Sequence, residues 1–288
     1  RGSGHFSLAT TQIFERAREE VLHALELSPR QHDVIFCGPR RADELTARLG
    51  SKILHCVSSQ DIGLPLGVRA VVAKKRVLAH LKPLEAGGGT ARLVGQDWVV
   101  WSHTPDRFEA GTPAIINIVA FVAALRLHKA GLRFSPVQSA PERTAIEILQ
   151  RDDWEHLSGH ELLTQLRTLH IGRAVQVPTR FGVRPFTNLD NAASTPTFEP
   201  ILRTYLDALV QPSHLQQDIT TEVRAICGSA LGAPPTNYDV IFTSNTTDAI
   251  NTVARSLALE GEAVSDTVVV NTLIEHNSNE LPWREITR

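Results

Sequence analysis

Two kinds of apolar spacing alternate along this chain, and that alternation limits its fold more than any other feature. Residues 11–27 carry Ile13, Phe14, Ala17, Val21, Leu22 and Leu25 at helical spacing. Ser28-Pro29 closes that stretch, and Asp33-Val34-Ile35-Phe36 reads as a short buried strand. A helix is expected near 42–49, a strand over Val68–Ala73, and a break at Gly87-Gly88-Gly89. Residues 113–129 read as a strongly apolar helix buried on most faces. Pro136 to Pro141 reads as a linker, followed by polar helices over 143–170 punctuated at Ser158-Gly159 and an extended segment to Pro185. Helices over 199–210 and 219–231 come next, then strand Asp239–Thr243, loop 244–246, helix 247–259 and strand Thr267–Asn271. Strands and helices in this order predict an α/β fold with a mainly parallel sheet.

The pattern also echoes itself. A shift of 206 residues places Asp33-Val34-Ile35-Phe36 on Asp239-Val240-Ile241-Phe242, Arg18 on Arg224, Leu25 on Leu231 and Pro29 on Pro235. Two copies of one unit, or coincidence between two βα units, both account for it. Composition narrows the function. Lys+Arg 29 against Asp+Glu 31 gives a net charge of -2, with the basic residues scattered, which disfavours nucleic acid and polybasic membrane binding. No apolar run is long enough to span a bilayer. Cys37, Cys56 and Cys227 show neither a disulfide framework nor metal spacing, and each reads as a small buried hydrophobe in a reducing cytoplasm. The twelve histidines form no HExxH or paired ligand spacing, so no metal site is expected. The lack of methionine and the opening Arg1-Gly2-Ser3-Gly4 point to an excerpt of a longer reading frame.

Four segments could carry chemistry. Val240 to Asn251 (VIFTSNTTDAIN) runs from a strand through a small-polar loop into a helix starting at or just after Thr246. First-turn amides, the helix dipole and converging hydroxyls make an anion site there; Thr246 as a plain N-cap explains the same residues. Asn271 to Asn279 places His276 just past a strand end, where it could stack on a planar ring, handle protons or simply face solvent. Leu189 to Pro196 (LDNAASTP) permits close backbone approach, or is merely the turn before helix 199–210. Arg107 to Pro113 (RFEAGTP) opens the apolar helix with Thr112 as cap and Pro113 at the first helical position.

Together LDNAAST, VIFTSNTTDAIN, IEHNSNELPW, GGG and RFEAGTPAI resemble the class V aminotransferases, a family of fold type I pyridoxal-phosphate enzymes that includes cysteine desulfurases and selenocysteine lyases. The resemblance implies that Thr246 and Thr247 hold the phosphate of pyridoxal 5'-phosphate and that His276 stacks on its pyridine ring. It implies that Asn191, Ala192 and Ala193 line the substrate side. It also likens Gly111 and Thr112 to the element that reaches across the family's dimer interface to a partner's phosphate. A small amino acid is the implied substrate, and a homodimer or an intrachain pseudo-dimer the implied assembly.

Departures from the family pattern are equally specific. Ser58 to Gly67 (SSQDIGLPLG) resembles the family's lysine segment, with Ser58, Pro65 and Gly67 matching, but Gln60 stands for its His and Asp61 for its Lys. A carboxylate cannot bond to an aldehyde as an amine does. The first phosphate loop has become Cys37-Gly38-Pro39-Arg40-Arg41, where Pro39 removes an N–H donor. The chain's lysines are Lys52, Lys74, Lys75, Lys82 and Lys129; Lys74 and Lys75 read as solvated charges. The second copy stops at Arg288, before the family's pyridine-nitrogen Asp and its Schiff-base lysine.

These readings predict a degenerate copy over 1–134, a helical linker over 135–185, and from 186 to 288 the start of a second large domain, both copies incomplete. The coenzyme is expected to bind noncovalently at best, without turnover and without a catalytic residue in this chain. A noncatalytic pseudoenzyme serving as a dimerisation or interaction module is the alternative. A truncated product with exposed strand edges and no stable fold is a third possibility.

Overall fold

The strand expected at Asp33–Phe36 forms because its residues are apolar on both faces. In the computed structural model, which describes residues 5–132, 143–149, 154–191, 195–259 and 268–286, β1 (His32–Cys37) is buried along its whole length. It runs into α2 (Pro39–Leu49), which starts on Pro39 at its first turn as a proline-opened helix should. The chain returns as β2 (Ile53–Ser58), a strand the sequence patterning did not signal, and then as β3 (Arg69–Lys74). Sheet order is β1-β3-β2. Val34 faces Val72 and Phe36 faces Ala70 in the first pairing, and Val57 faces Ala70 in the second.

The expected mainly parallel sheet is not what these residues build. Every strand pair among the described residues is antiparallel, because β3 inserts between β1 and β2 and opposes both. β1 and β2 do point the same way, so the crossover through α2 is of the strand–helix–strand kind, with the space between filled by a third strand.

Alternation along β1 and β3 sends side chains to two cores. Val34, Phe36, Ala70 and Val72 pack against α1 (His5–Ala24) through Phe14, Ala17, Val21 and Leu22, and against α4 (Ile115–Lys129) through Ile118, Phe121, Val122 and Leu125. Phe36 meets Phe14 and Phe121 edge-on, with centroids 5.6 and 6.5 Å away. Ile35, Cys37, Val71 and Ala73 face the other way, onto Ala42, Leu45 and Leu49 of α2 and onto Leu78 and Phe108. Leu78 closes α3 (Lys75–Leu78), and a small pair, β4 (Ala91–Val94) and β5 (Val99–Trp101), follows. α4 is less buried than its composition predicts: Ile116 is 82% exposed, and Val119 and Leu127 are exposed on the same edge.

The chain divides into two compact units, Arg1–Phe134 with Phe242–Arg288, and Ser135–Ile241. The second unit holds α5 (Ala145–Leu149), α6 (Gly159–Leu169), the hairpin of β6 (Gln176–Thr179) and β7 (Gly182–Pro185), α7 (Glu199–Leu209) and α8 (Ser213–Ala230). Ile148, Leu215 and Ile219 are its buried centre. α8 begins six residues before the expected helix at 219, and the expected linker at 136–141 lies outside the described residues. In the first unit, α9 (Thr246–Leu259) and an unanticipated α10 (Asn277–Ile286) pack together.

Two expected strands are absent. Residues 239–243 and 268–271 form no ladder (Thr267 lies outside the described residues), and Ile241 and Val270 are 73% and 87% exposed. The tetrapeptide Asp-Val-Ile-Phe thus occurs twice with opposite fates: Ile35 is fully buried in β1, and Ile241 faces solvent. β propensity is realised only where a neighbouring strand supplies backbone partners and a covered face. The cysteines divide similarly, with Cys37 buried, Cys227 half-buried and Cys56 exposed, so the uniform expectation of burial holds for Cys37 alone.

Candidate functional site

The loop before α9 is shaped by its own side chains. Asn245 Oδ1 accepts the Asp248 N–H at 2.9 Å, and Asp248 Oδ2 accepts the Ser244 N–H at 3.0 Å. The cap of the helix is therefore Asn245, with Thr246 the first helical residue; the N-cap role offered for Thr246 falls one residue earlier. The Asn-x-x-Asp spacing is a reciprocal capping pattern legible in the sequence beside the two threonines.

Residues far away in sequence seat this loop. Asn245 Nδ2 donates to the Thr112 and Ala110 carbonyls at 3.2 and 3.4 Å. Gly111 lies at φ +82, where an added Cβ would stand 2.3 Å from Asn245 Oδ1, so this crossing requires glycine. The expected segment around Gly111 and Thr112 thus meets the expected loop within one compact unit.

Behind it, Thr247 is buried and its hydroxyl bonds the Ser278 hydroxyl at 2.7 Å. Ser278 Oγ also accepts the Gly88 N–H at 3.1 Å, and the Ser278 N–H donates to His276 Nδ1 at 3.2 Å. A Cβ on Gly87 would fall 2.3 Å from Thr247 Cγ2, and one on Gly88 3.0 Å from His276 Cε1. Gly87 and Gly88 of the glycine break therefore form a contact surface for α9 and the start of α10. Asn251 fastens the same face, donating to the Ala86 carbonyl at 2.9 Å.

A cluster of charges closes the far side. Arg40 pairs with Glu44, Glu85 and Asp248; Arg41 pairs with Glu85; Arg255 pairs with Glu44 and donates to the Leu84 carbonyl at 2.6 Å. Asp248 is buried, which by itself would raise its pKa. The Ser244 N–H and the Arg40 guanidinium more than offset that and hold the carboxyl below its ordinary range.

Glu109 anchors the segment leading to Gly111. Buried, it accepts the Phe36 N–H at 2.9 Å and the Arg18 guanidinium at 2.6 Å. Where the resemblance expects a lysine, Asp61 instead accepts the Ser58 N–H at 2.9 Å and completes a capping box with Ser58.

Thr247, His276, Gly111 and Thr112 are thus gathered in one unit, with Thr246 exposed at the start of α9. Asn191 belongs to the other unit, exposed, its carbonyl accepting the Thr195 hydroxyl at 3.0 Å. Ala192 and Ala193 lie outside the described residues. Among the described residues no helix is long and apolar enough to cross a membrane, and no group of three or more His, Cys, Asp and Glu could hold a metal ion.

The site's chemistry fits a phosphate better than a whole coenzyme. Exposed hydroxyls of Ser244 and Thr246 stand at the amino end of a 14-residue helix, a donor set suited to an oxyanion. The Thr247 hydroxyl is taken by Ser278. The recess beside the loop, lined by Cys37, Gly38, Arg41, Gly111, Thr112 and Asn245 among others, offers about 60 Å³ and no lysine. Small-molecule pockets usually start at about 300 Å³.

Comparison with known proteins gives the same family twice along the chain. The model of the class-V aminotransferases matches residues 51–152 and 187–288. A probable cysteine desulfurase of Staphylococcus aureus (strain N315) is 32% identical over 62 residues, 22% of this chain and 15% of that protein. One of Staphylococcus epidermidis (strain ATCC 12228 / FDA PCI 1200) is 31% identical over 61 residues, 21% of this chain and 15% of its own. The similarity to these relatives therefore spans only a small part of their length. With the matched stretches covering most of the 288 residues, the chain belongs to the class-V aminotransferase family, whose members are pyridoxal-phosphate-dependent proteins of fold type I.

Proposed function

We propose that this chain is a cysteine-desulfurase-like relative in which two family copies, over 1–134 and from 186 onward, pair with one another and hold pyridoxal phosphate by its phosphate group, without a covalent bond. One observation carries this: in the second matched stretch the loop Ser244–Thr247 is seated on Gly87 and Gly111 of the first, and the His276–Ser278 turn on Gly88. When bound, the coenzyme supplies an electron sink for chemistry at the α-carbon of an amino acid. Ser244 and Thr246 would hold its phosphate through hydroxyls and first-turn amides, and His276 would cover its ring. Thr112 would complete the phosphate cup from the first copy, as a partner subunit does in a family dimer. Thr247 acts behind them, fixing Ser278 and so the His276 turn.

Turnover at the first copy is not expected, because the resemblance sets Asp61 where the family has its lysine, and Asp61 is spent on a turn. A small amino acid is the proposed substrate class of the parent activity, and free cysteines at 37, 56 and 227 fit a reducing cytoplasm. The test is spectroscopic. Added pyridoxal phosphate should bind reversibly and leave on dialysis, and Thr112→Ala should weaken it. A bound-pyridoxal absorbance that survives dialysis and vanishes on borohydride reduction refutes the noncovalent reading; unchanged affinity in Thr112→Ala refutes the shared cup.

The exposed apolar edge of α4 at Ile116, Val119 and Leu127 favours a second reading, a noncatalytic module that works through association. Self-association with no measurable coenzyme binding would select it.

A further inference from the structure

We infer that Arg40 is a positioning residue that α2 lends to the phosphate loop before α9, acting through Asp248. The inference rests on the reading of Ser244–Thr247 as an anion site and adds to it the group that sets the site's charge.

Asp248 poses the problem. It is the third residue of α9, and its carboxylate shapes the loop by accepting the Ser244 N–H at 3.0 Å. A carboxylate in the first turn favours the helix through the dipole, yet at the same place it repels any anion the helix end would attract. Asp248 is buried, so water screens it poorly. The opposing charge comes from across the unit: Arg40, second residue of α2, pairs with Asp248 and reaches Glu85 at 2.5 Å and Glu44 at 2.5 Å.

The cluster balances. Arg40, Arg41 and Arg255 stand against Glu44, Glu85 and Asp248, three cations to three anions. Arg41 and Arg255 also engage Glu85 and Glu44, whereas the side-chain cation on Asp248 is Arg40. Removing Arg40 leaves the loop beside a net negative charge. An arginine suits the place because its planar fork serves several carboxylates at once, which an ammonium cannot do with the same geometry.

α2 begins with no side-chain cap and no acid in its first turn, and Pro39 withholds a donor. The arginine that follows is directed to the neighbouring helix instead. Arg40 thus serves the loop of α9 at the expense of an anion site at its own helix start.

The experiment titrates purified full chain with pyridoxal 5'-phosphate, and separately with inorganic phosphate as competitor. It compares wild type, Arg40→Gln, Arg40→Lys, Asp248→Asn and Arg40→Gln/Asp248→Asn, with thermal melts for each. Arg40→Gln should weaken both ligands about tenfold, as expected for an uncancelled charge one helical turn away. That loss should shrink in high salt, which a purely structural defect would not do. Asp248→Asn should restore the double variant to within about threefold of wild type. Unchanged binding in Arg40→Gln overturns the inference. So does a double variant as weak as Arg40→Gln, which would put Arg40 directly on the phosphate. Should Arg40→Gln lose its cooperative melt, the double variant against wild type decides in the same way, with Arg40→Lys expected to fall between them. Failure of wild type and Asp248→Asn to bind either ligand refutes the phosphate-loop reading itself, a result distinct from selective loss in Arg40→Gln.

Discussion

Replacing Glu109 by alanine should destabilise the first unit by about 3 kcal/mol. Glu109 closes the open edge of β1, accepting the Phe36 N–H at 2.9 Å, and holds Arg18 at 2.6 Å, with both side chains almost fully buried. Breaking a buried ion pair typically costs about 3–5 kcal/mol, and stranding a buried backbone N–H about 1–3 more. Arg18 keeps Glu15 at 2.5 Å and Asp106 at 3.3 Å, so part of its charge stays compensated and the total falls to the lower end of that range. Glutamine at 109 retains an acceptor for Phe36 and loses only the charge, which should cost roughly half as much. Urea unfolding followed through Trp98 and Trp101 reports on this unit, and its midpoint should fall in the order wild type, Glu109→Gln, Glu109→Ala. A loss below about 1 kcal/mol for alanine, or equal losses for both variants, would show that the pair contributes little and that Gly111 is placed by other contacts.

The fold and the seam give further expectations. Asp248 has a lowered folded-state pKa, so its contribution is present above the unfolded carboxylate value near about 3.9 and is lost as pH falls through the lower folded value. Asp248→Asn should therefore lose less stability than wild type on acidification from about pH 5 to pH 3; parallel profiles would contradict this. Gly87→Ala sets a Cβ 2.3 Å from Thr247 Cγ2 at φ +151, and should cost about 2 kcal/mol or more in an equilibrium melt. Phe121, fully buried between two helices and the sheet, should cost about 3–5 kcal/mol as alanine. Ile116, 82% exposed one turn earlier on the same helix, should cost about 0.5 kcal/mol or less as glutamine. A large loss at Ile116 would mean that the outer edge of α4 is covered in solution.

Much of this arrangement is legible in the residues, element by element. β1, α2, β3 and α4 lie where apolar spacing puts them, because each buries a face whose period matches its geometry. Capping chemistry is equally local: Pro39 opens α2, and Asn245 with Asp248 opens α9. β2 is not legible in the sequence because Ile53–Ser58 is only partly buried and its alternation is broken by a bulge near His55. α10 is masked in the sequence because Pro282 lies inside it and reads as a breaker.

The candidate site divides the same way. Its residue types, small hydroxyls before a helix and glycines where chains cross, are written in the sequence, since backbone conformation and capping depend on neighbours a few residues apart. That Gly111 meets Asn245, that Arg40 finds Asp248, and that Asp-Val-Ile-Phe is a core strand once and an exposed segment the second time are decisions of tertiary structure. Each needs a partner more than a hundred residues away or a neighbouring strand, and no local preference can supply either.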